Sequence, residues 1–431
     1  MSYHEFSEFW DHNLAPDLYK RAIKLIRYFC IIYKWNQNIA LFECQKKIFY
    51  ELITLEHEIS IYNERANVLK NEAVQMAKIN RDNLSNDIKH DISLKYDQVK
   101  EIQECLKLFK YFRWVFRYIQ DGIVWKAFYF NRQLIRALSE KEPVNFPSNT
   151  QGNKLEMNFF LGIRKLGNNW LPIMHDLSNC LRTGDFSIFK DGQLYRIIEL
   201  KIRKNENKKN NTHLLGSRGS REKRQEKRLK NISEYMETGD LGKLRREYSG
   251  GKSIKNEVIE KHNYEYISRA ISCARRRGIG VEEPESGLLY LAYDWQSVDF
   301  DQMMLQTRNS FPHIFDTPFT FRSFGNRNDE KPELLPITAM DLKYRDIVDL
   351  LFCKIPVLTF INFKLLEENA KEYKIPLHVK NQNKGFKLVV DSKPGGIVGE
   401  GLIDRLLIEA LSMCSFLNLI RSILVEFNID M

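Results

Sequence analysis

Seven cysteines, at positions 30, 44, 105, 180, 273, 353 and 414, include no Cys-x-x-Cys pair, so neither a disulfide framework nor a cysteine zinc site is indicated. Met1-Ser2-Tyr3-His4-Glu5 lacks the basic start and following apolar run of a secretory leader. The most apolar stretch, 402 to 427, is broken by Asp404, Arg405, Glu409 and Arg421, which removes it as a membrane span. A soluble, cytoplasmic protein with no membrane partner is expected. The Gly-rich run 393 to 401 leads into a helical pattern without the Lys-Ser/Thr pair of a Walker A loop, so it reads as a turn and not as a nucleotide site. What is present is length: 431 residues, 43% of them apolar, enough for two or three cored domains.

The most informative stretch lies near the middle. Phe186-Ser187-Ile188-Phe189 and Tyr195-Arg196-Ile197-Ile198 read as β-strands, and the Asp191-Gly192 pair between them is a hairpin signal. Asp185 precedes the first strand and Glu199-Leu200-Lys201 ends the second. In a strand, Glu199 and Lys201 share one face while Ile198, Leu200 and Ile202 share the other. Register decides whether Asp185 joins them. A two-residue turn would put Asp185 opposite Ile198, on the wrong face. A three-residue loop of Lys190-Asp191-Gly192, or an equivalent bulge, would turn it to the side of Glu199 and Lys201. The latter is expected. A merely solvated hairpin edge would carry the same letters, so the surroundings matter.

Upstream, 153 to 162 forms an amphipathic helix pattern and 170 to 174 a strand; downstream come a charged helix from about 221 to 236 and an apolar strand, 287 to 293. Helix, three strands, helix, strand, with Asp185 on the second strand and Glu199-Leu200-Lys201 on the third, resembles the PD-(D/E)xK nuclease superfamily, the restriction-endonuclease-like fold, over about 150 to 295. Gly184 stands where that pattern often has Pro. The resemblance implies an α/β core with a mixed sheet and Mg²⁺ or Mn²⁺ held by Asp185, Glu199 and the backbone carbonyl of Leu200. It also implies Lys201 orienting the attacking water, Glu156 as the acid of the first helix and Gln225 as the polar residue of the helix after the third strand. Hard cations take oxygen ligands and keep several waters, so two carboxylates and a carbonyl suffice.

Charge points to a nucleic-acid substrate. From Lys201 to Lys230 there are twelve Lys/Arg against three Glu, a local net of +9 in a chain of net +10. The basic excess thus follows directly on the proposed catalytic strand, where a phosphate backbone would lie, with Lys204, Arg221, Arg224 and Arg228 as candidate contacts. A solvated charged face remains the plain alternative for such a run. DNA is the favoured substrate.

Residues 1 to 142 read as helical. Leu52, Leu55, Ile59, Tyr62, Ala66, Leu69, Ala73 and Met76 step by three and four, and Val99, Ile102, Leu106 and Phe109 resume the seam after a polar break at 80 to 87 where Ser85 is a candidate cap. The expected shape is an antiparallel coiled-coil hairpin that docks a protein partner or self-associates, or else an ordinary bundle folded on its base. The Arg-interleaved aromatics from Phe109 to Phe130 read as core with snorkelling cations. His175-Asp176 reads as a turn, or as a spare ligand or base. Segments 140 to 150 and 324 to 336 read as linkers, 255 to 277 as a helix stopped by Gly278, and 337 to 431 as an α+β module.

The expected architecture is therefore a helical domain at 1–142, a nuclease-like domain at 150–323 and an α+β domain at 337–431. The expected activity is a metal-dependent phosphodiester hydrolase; a nuclease core with an extended arm resembles defence or mobile-element nucleases of bacteria. The competing expectation is a catalytically inactive nucleic-acid-binding or assembly protein on the same fold.

Overall fold

The computed structural model describes residues 13–35, 38–79, 85–139, 151–200, 227, 230–235, 237–238, 260–316, 318–324, 334–382, 385–390, 396–397 and 400–426. The chain is α+β, with a helical N-terminal region and sheets whose strand pairings are all antiparallel, where a mixed sheet was expected. It divides into two compact units, 1–229 and 230–431, and that division runs through the span expected to form one nuclease-like domain.

In the first unit α1 (Ala15–Trp35) is followed by two 42-residue helices, α2 (Asn38–Ile79) and α3 (Asn86–Ala127), which pack along each other. The heptad seam is their contact: Leu52, Leu55, Ile59, Ala66 and Ala73 of α2 and Val99, Ile102 and Leu106 of α3 are buried. At 1.5 Å per residue each helix runs about 60 Å. Ser85 caps α3, its Oγ accepting from the Ile88 N–H at 3.3 Å. Beyond Phe109 nearly every residue of α3 is buried, including Phe112, Trp114, Phe116 and Trp125, so this half is the base. Tyr129 and Phe130 correct the core reading: they lie just past α3, 67% and 45% exposed.

After α4 (Arg132–Ser139) and α5 (Gln151–Arg164) comes the sheet β1 (Trp170–Met174), β2 (Phe186–Lys190), β3 (Gln193–Ile198), in that spatial order. β2 lies between its neighbours and is buried along Phe186 to Phe189, its Phe186 ring against Phe159 of α5 and its Phe189 ring against Phe128. The outer edge of β1 is closed by a side chain. Gln45 of α2 donates from Nε2 to the Pro172 carbonyl at 3.0 Å and accepts the Met174 N–H at 3.3 Å, so its amide stands in for a neighbouring strand. Gln120 of α3 donates to the same Gln45 Oε1 at 2.8 Å.

The second unit holds α6 (Tyr264–Arg277), β4 (Ile279–Glu285), β5 (Leu288–Tyr293), α7 (Phe300–Ser310), α8 (Pro312–Phe315), β6 (Phe319–Ser323), α9 (Tyr344–Leu351), β7 (Val357–Asn362), α10 (Phe363–Glu372), β8 (Leu377–Gln382), β9 (Gly385–Val390), β10 (Gly396–Ile397), α11 (Glu400–Ile408) and α12 (Met413–Glu426). Its main sheet has the order β4-β5-β7-β6. β5 is the apolar strand expected to complete the nuclease-like sheet; it pairs instead with β4 and β7, and Leu289, Leu291, Tyr293, Leu358 and Phe360 form a core with Met303 and Ile314. Residues 260–263 precede α6 and are not helical, and the apolar stretch near the end of the chain forms two helices, α11 and α12, separated at Ala410, whose φ is +54°. Gly278 ends α6 with φ +83° as expected, while Arg275 bonds Asp349 and Asp346 at 2.9 Å and is thereby taken up within the unit. The expected linker 140–150, most of the expected linker 324–336 and the basic run from 201 to 226 lie outside the described residues, whereas Phe324 and Leu335 at the ends of the second linker are buried.

Candidate active site

The hairpin turn has two residues, not three. Lys190 pairs with Gln193, and Asp191 and Gly192 both take positive φ, +51° and +79°, as the primed turns of two-residue hairpins demand. By itself this turn would send Asp185 to the wrong face. A bulge compensates: the register passes from Phe189↔Leu194 to Ile188↔Arg196, leaving Tyr195 as the extra residue, and continues to Phe186↔Ile198. Two residues further out the chain bends at Gly184, where φ is +77° and an added Cβ would lie 3.2 Å from the Ile198 carbonyl oxygen. Asp185 then donates its N–H to the Ile198 carbonyl at 2.8 Å, and its Oδ2 accepts the Leu200 N–H. The Asp185 carboxylate is thereby fastened to the Glu199-Leu200 peptide. Lys201, the next residue, lies outside the described residues, as do Lys204, Arg221, Arg224, Gln225 and Arg228.

His175 holds this bend from behind. It is fully buried, its backbone N–H donates to the Asp185 carbonyl at 2.9 Å, and its Nδ1 faces the carbonyls of Thr183 (2.8 Å) and Gly184 (3.1 Å). Two carbonyls at Nδ1 require a proton there, so Nε2 accepts from the Ser187 hydroxyl at 2.7 Å. Burial drives its pKa down to about 4 against the pull of the two carbonyls, and the ring is neutral. His175 is thus a structural clamp, not a spare ligand or base.

Acids gather in front of the clamp. Glu156 projects from α5, and its carboxyl is pushed up to about 8, first by burial and then by the charges of Asp176 and Asp185. Asp176, in the 3-10 turn His175–Leu177, has its pKa raised by burial, a rise that the Arg117 guanidinium opposes. Arg117 is itself buried in α3, where desolvation lowers its pKa and the Asp176, Glu56 and Asp121 carboxylates oppose that loss. The loop between Asp176 and Asp185 is pinned by Asp121 of α3, which accepts from the N–H groups of Asn179 (2.7 Å) and Cys180 (3.1 Å) and from Asn179 Nδ2 (3.1 Å).

The structure therefore brings Glu156 and Asp185 into mutual electrostatic reach and ties Asp185 to the backbone beside Glu199. Sequence reasoning named Asp176 only within the His175-Asp176 pair, as a turn or a spare ligand or base, and missed Arg117 behind it. The adjacency of Asp176 to His175 was the available signal; nothing in the Arg-rich helix singled out Arg117. Among the described residues no group of three His, Cys, Asp or Glu side chains is already arranged to hold a metal ion. Asp185 and Glu199 offer oxygen donors, the type that hard divalent cations take, so the residue types fit such an ion. No protein-family model, curated protein or solved structure matches this chain.

Proposed function

We propose that the chain is a metal-dependent nuclease that hydrolyses phosphodiester bonds, with DNA as its substrate and Mg²⁺ or Mn²⁺ as its cofactor. The observation that carries this reading is the bend itself: a bulge, a left-handed glycine and a buried histidine clamp are all spent on pressing one carboxylate, Asp185, against the peptide that joins Glu199 to Leu200. Bulges recur next to active sites, where they re-aim a side chain. The +9 segment that begins at Lys201 supplies phosphate-binding charge next to that bend in the sequence.

Asp185, Glu199 and the Leu200 carbonyl would hold the ion, which when bound supplies a water of lowered pKa and offsets charge developing on the phosphate. Lys201 orients the attacking water and stabilises the new negative charge. Glu156, carrying a proton at neutral pH, spares the cluster a further negative charge until a cation enters. Asp176 is kept nearer its charged state by Arg117.

The decisive experiment uses purified full-length chain with duplex DNA and Mg²⁺ or Mn²⁺. Asp185→Ala, Glu199→Ala and Lys201→Ala should each abolish cleavage while unfolding midpoints stay within a few degrees, because the three act as one unit. Cleavage surviving in Glu199→Ala refutes the assignment.

A further inference from the structure

The end of the β1-β2-β3 sheet away from Asp185 carries an exposed cluster of aromatic side chains. Trp170 opens β1, Tyr195 is the bulged residue of β3, and their rings meet edge to face at 5.4 Å. Lys190 pairs with Trp170 across the strands and places its ammonium 5.3 Å from the indole centroid. Tyr195 is 62% exposed. Tyr129 sits over the hairpin turn, its hydroxyl 2.3 Å from where a Cβ on Gly192 would stand. Tyr129 and Tyr195 are largely exposed and Trp170 is half-buried beneath Lys190 and Tyr195, so the tyrosine rings are not core.

The backbone beneath Tyr129 and Phe130 is a second, independent observation. Their φ values are +50° and +60°, a left-handed pair where a helix C-terminus ordinarily places glycine. The pair closes the end of α3, with the Phe130 N–H donating to the Trp125 carbonyl at 2.9 Å and the Tyr129 N–H to the Lys126 carbonyl at 3.1 Å, and it leaves the Tyr129 ring 67% exposed beside the hairpin turn.

Charge indicates what the surface would accept. Between 164 and 198 the exposed cations Lys165, Lys190 and Arg196 lie in this half, against the single acid Asp191, whose carboxylate accepts from Asn169 Nδ2 at 2.9 Å. The other two acids of that span, Asp176 and Asp185, belong to the opposite end. Exposed π faces interleaved with cations are what unpaired nucleotides require, bases stacking and phosphates meeting Lys and Arg.

We propose that this face is a base-stacking platform for an unpaired nucleic-acid strand, with Tyr129, Trp170 and Tyr195 taking bases and Lys190 and Arg196 taking phosphates. It rests on the nucleic-acid reading given above and sharpens it: the substrate carries a single-stranded segment. With five residues of β2 between the two ends at about 3.3 Å each, the platform lies roughly 16 Å from Asp185, so the unpaired segment flanks the scissile bond.

The test measures binding of a fluorescein-labelled 20-nucleotide oligo(dT) and of a blunt duplex of equal length to the full chain in EDTA, where cleavage is silent. Tyr129→Ala with Tyr195→Ala should weaken oligo(dT) binding at least tenfold, since each stacked base contributes about 1–3 kcal/mol, and should leave duplex affinity within twofold. Lys190→Gln with Arg196→Gln should flatten the salt dependence by about 1.4 in log-log slope, about 0.7 for each lost single-strand phosphate contact. Wild type should show tryptophan quenching on binding that Trp170→Phe reduces. Unchanged oligo(dT) affinity in the tyrosine double variant, or no binding by wild type, overturns the platform. If that affinity is unchanged while Asp185-dependent cleavage persists, the nuclease reading survives alone. If binding falls as expected while no substrate is cleaved, the platform stands and the nuclease reading fails.

Discussion

Glu156→Gln tests the electrostatics of the acid cluster without reference to catalysis. In the folded chain the Glu156 carboxyl holds its proton up to about pH 8, whereas an unfolded glutamate releases it near 4.3. Between those values the folded state binds more protons than the unfolded state, so stability falls as pH rises, by up to 1.36 kcal/mol per pH unit. The whole window corresponds to about 5 kcal/mol. Because part of the side chain reaches water, about half of that, ~2 kcal/mol, is the expected contribution. Glutamine keeps the shape of the protonated acid and never ionises. In EDTA, the stability of Glu156→Gln minus that of wild type should therefore be near zero at pH 4.5 and rise to ~2 kcal/mol in favour of the variant at pH 8.5. Trp295 is the single tryptophan of the second unit, so a Trp295→Phe background confines tryptophan fluorescence to the first, and urea titrations across that pH range read its unfolding alone. A difference that stays flat between pH 4.5 and 8.5 would show that neither burial nor the charges of Asp176 and Asp185 raise the Glu156 carboxyl, and the cluster as described would be wrong.

His175→Phe should cost ~2–4 kcal/mol, because it strips the bonds to Thr183, Gly184 and Ser187 from a buried site. Wild-type His175, held neutral down to about 4, contributes stability that is whole above pH 6.5 and lost as pH falls towards 4; the variant's pH–stability curve should lack that slope. Gln45→Leu should destabilise the first unit by ~2–3 kcal/mol and raise amide exchange at Met174, since the N–H of Met174 and the carbonyl of Pro172 lose their partner. Neutralising Arg221, Arg224 and Arg228 together should lower duplex affinity at all sequences alike and reduce the log-log salt slope by roughly 0.9 per lost contact, whereas neutralising Lys70, Lys78 and Lys89 of the helical arm should not. Equal loss from both sets would move the nucleic-acid contact from the basic segment to the arm.

What was legible in the sequence was what short-range pattern controls. The α2–α3 seam follows from steps of three and four at Leu52 through Met76, because the helix repeat alone brings those positions to one stripe. The hairpin followed from Asp191-Gly192, the one pair there suited to two consecutive positive φ values. Single-residue stops were legible for the same reason: Ser85 at the start of α3 and Gly278 at the end of α6 act within one turn of chain.

Position across the fold was not legible. The sequence left a three-residue loop and an equivalent bulge open as ways to turn Asp185 towards Glu199; the structure takes the bulge, at Tyr195, with a two-residue turn, a choice the hairpin's own letters do not encode. Strand Leu288–Tyr293 is apolar throughout and would suit any buried sheet; only its pairing with β4 and β7 assigns it to the second unit. Tyr129 and Phe130 share the composition of the α3 core, and their exposure came from a reversal of backbone hand after Phe128 that no periodicity announces. The amide of Gln45 closing a strand 127 residues away, and Arg117 facing Asp176 from another helix, depend on distances through space. Those contacts link positions far apart in the chain, so they exist only once helices and sheet have packed and excluded water, and a sequence read along its own axis has no term for them.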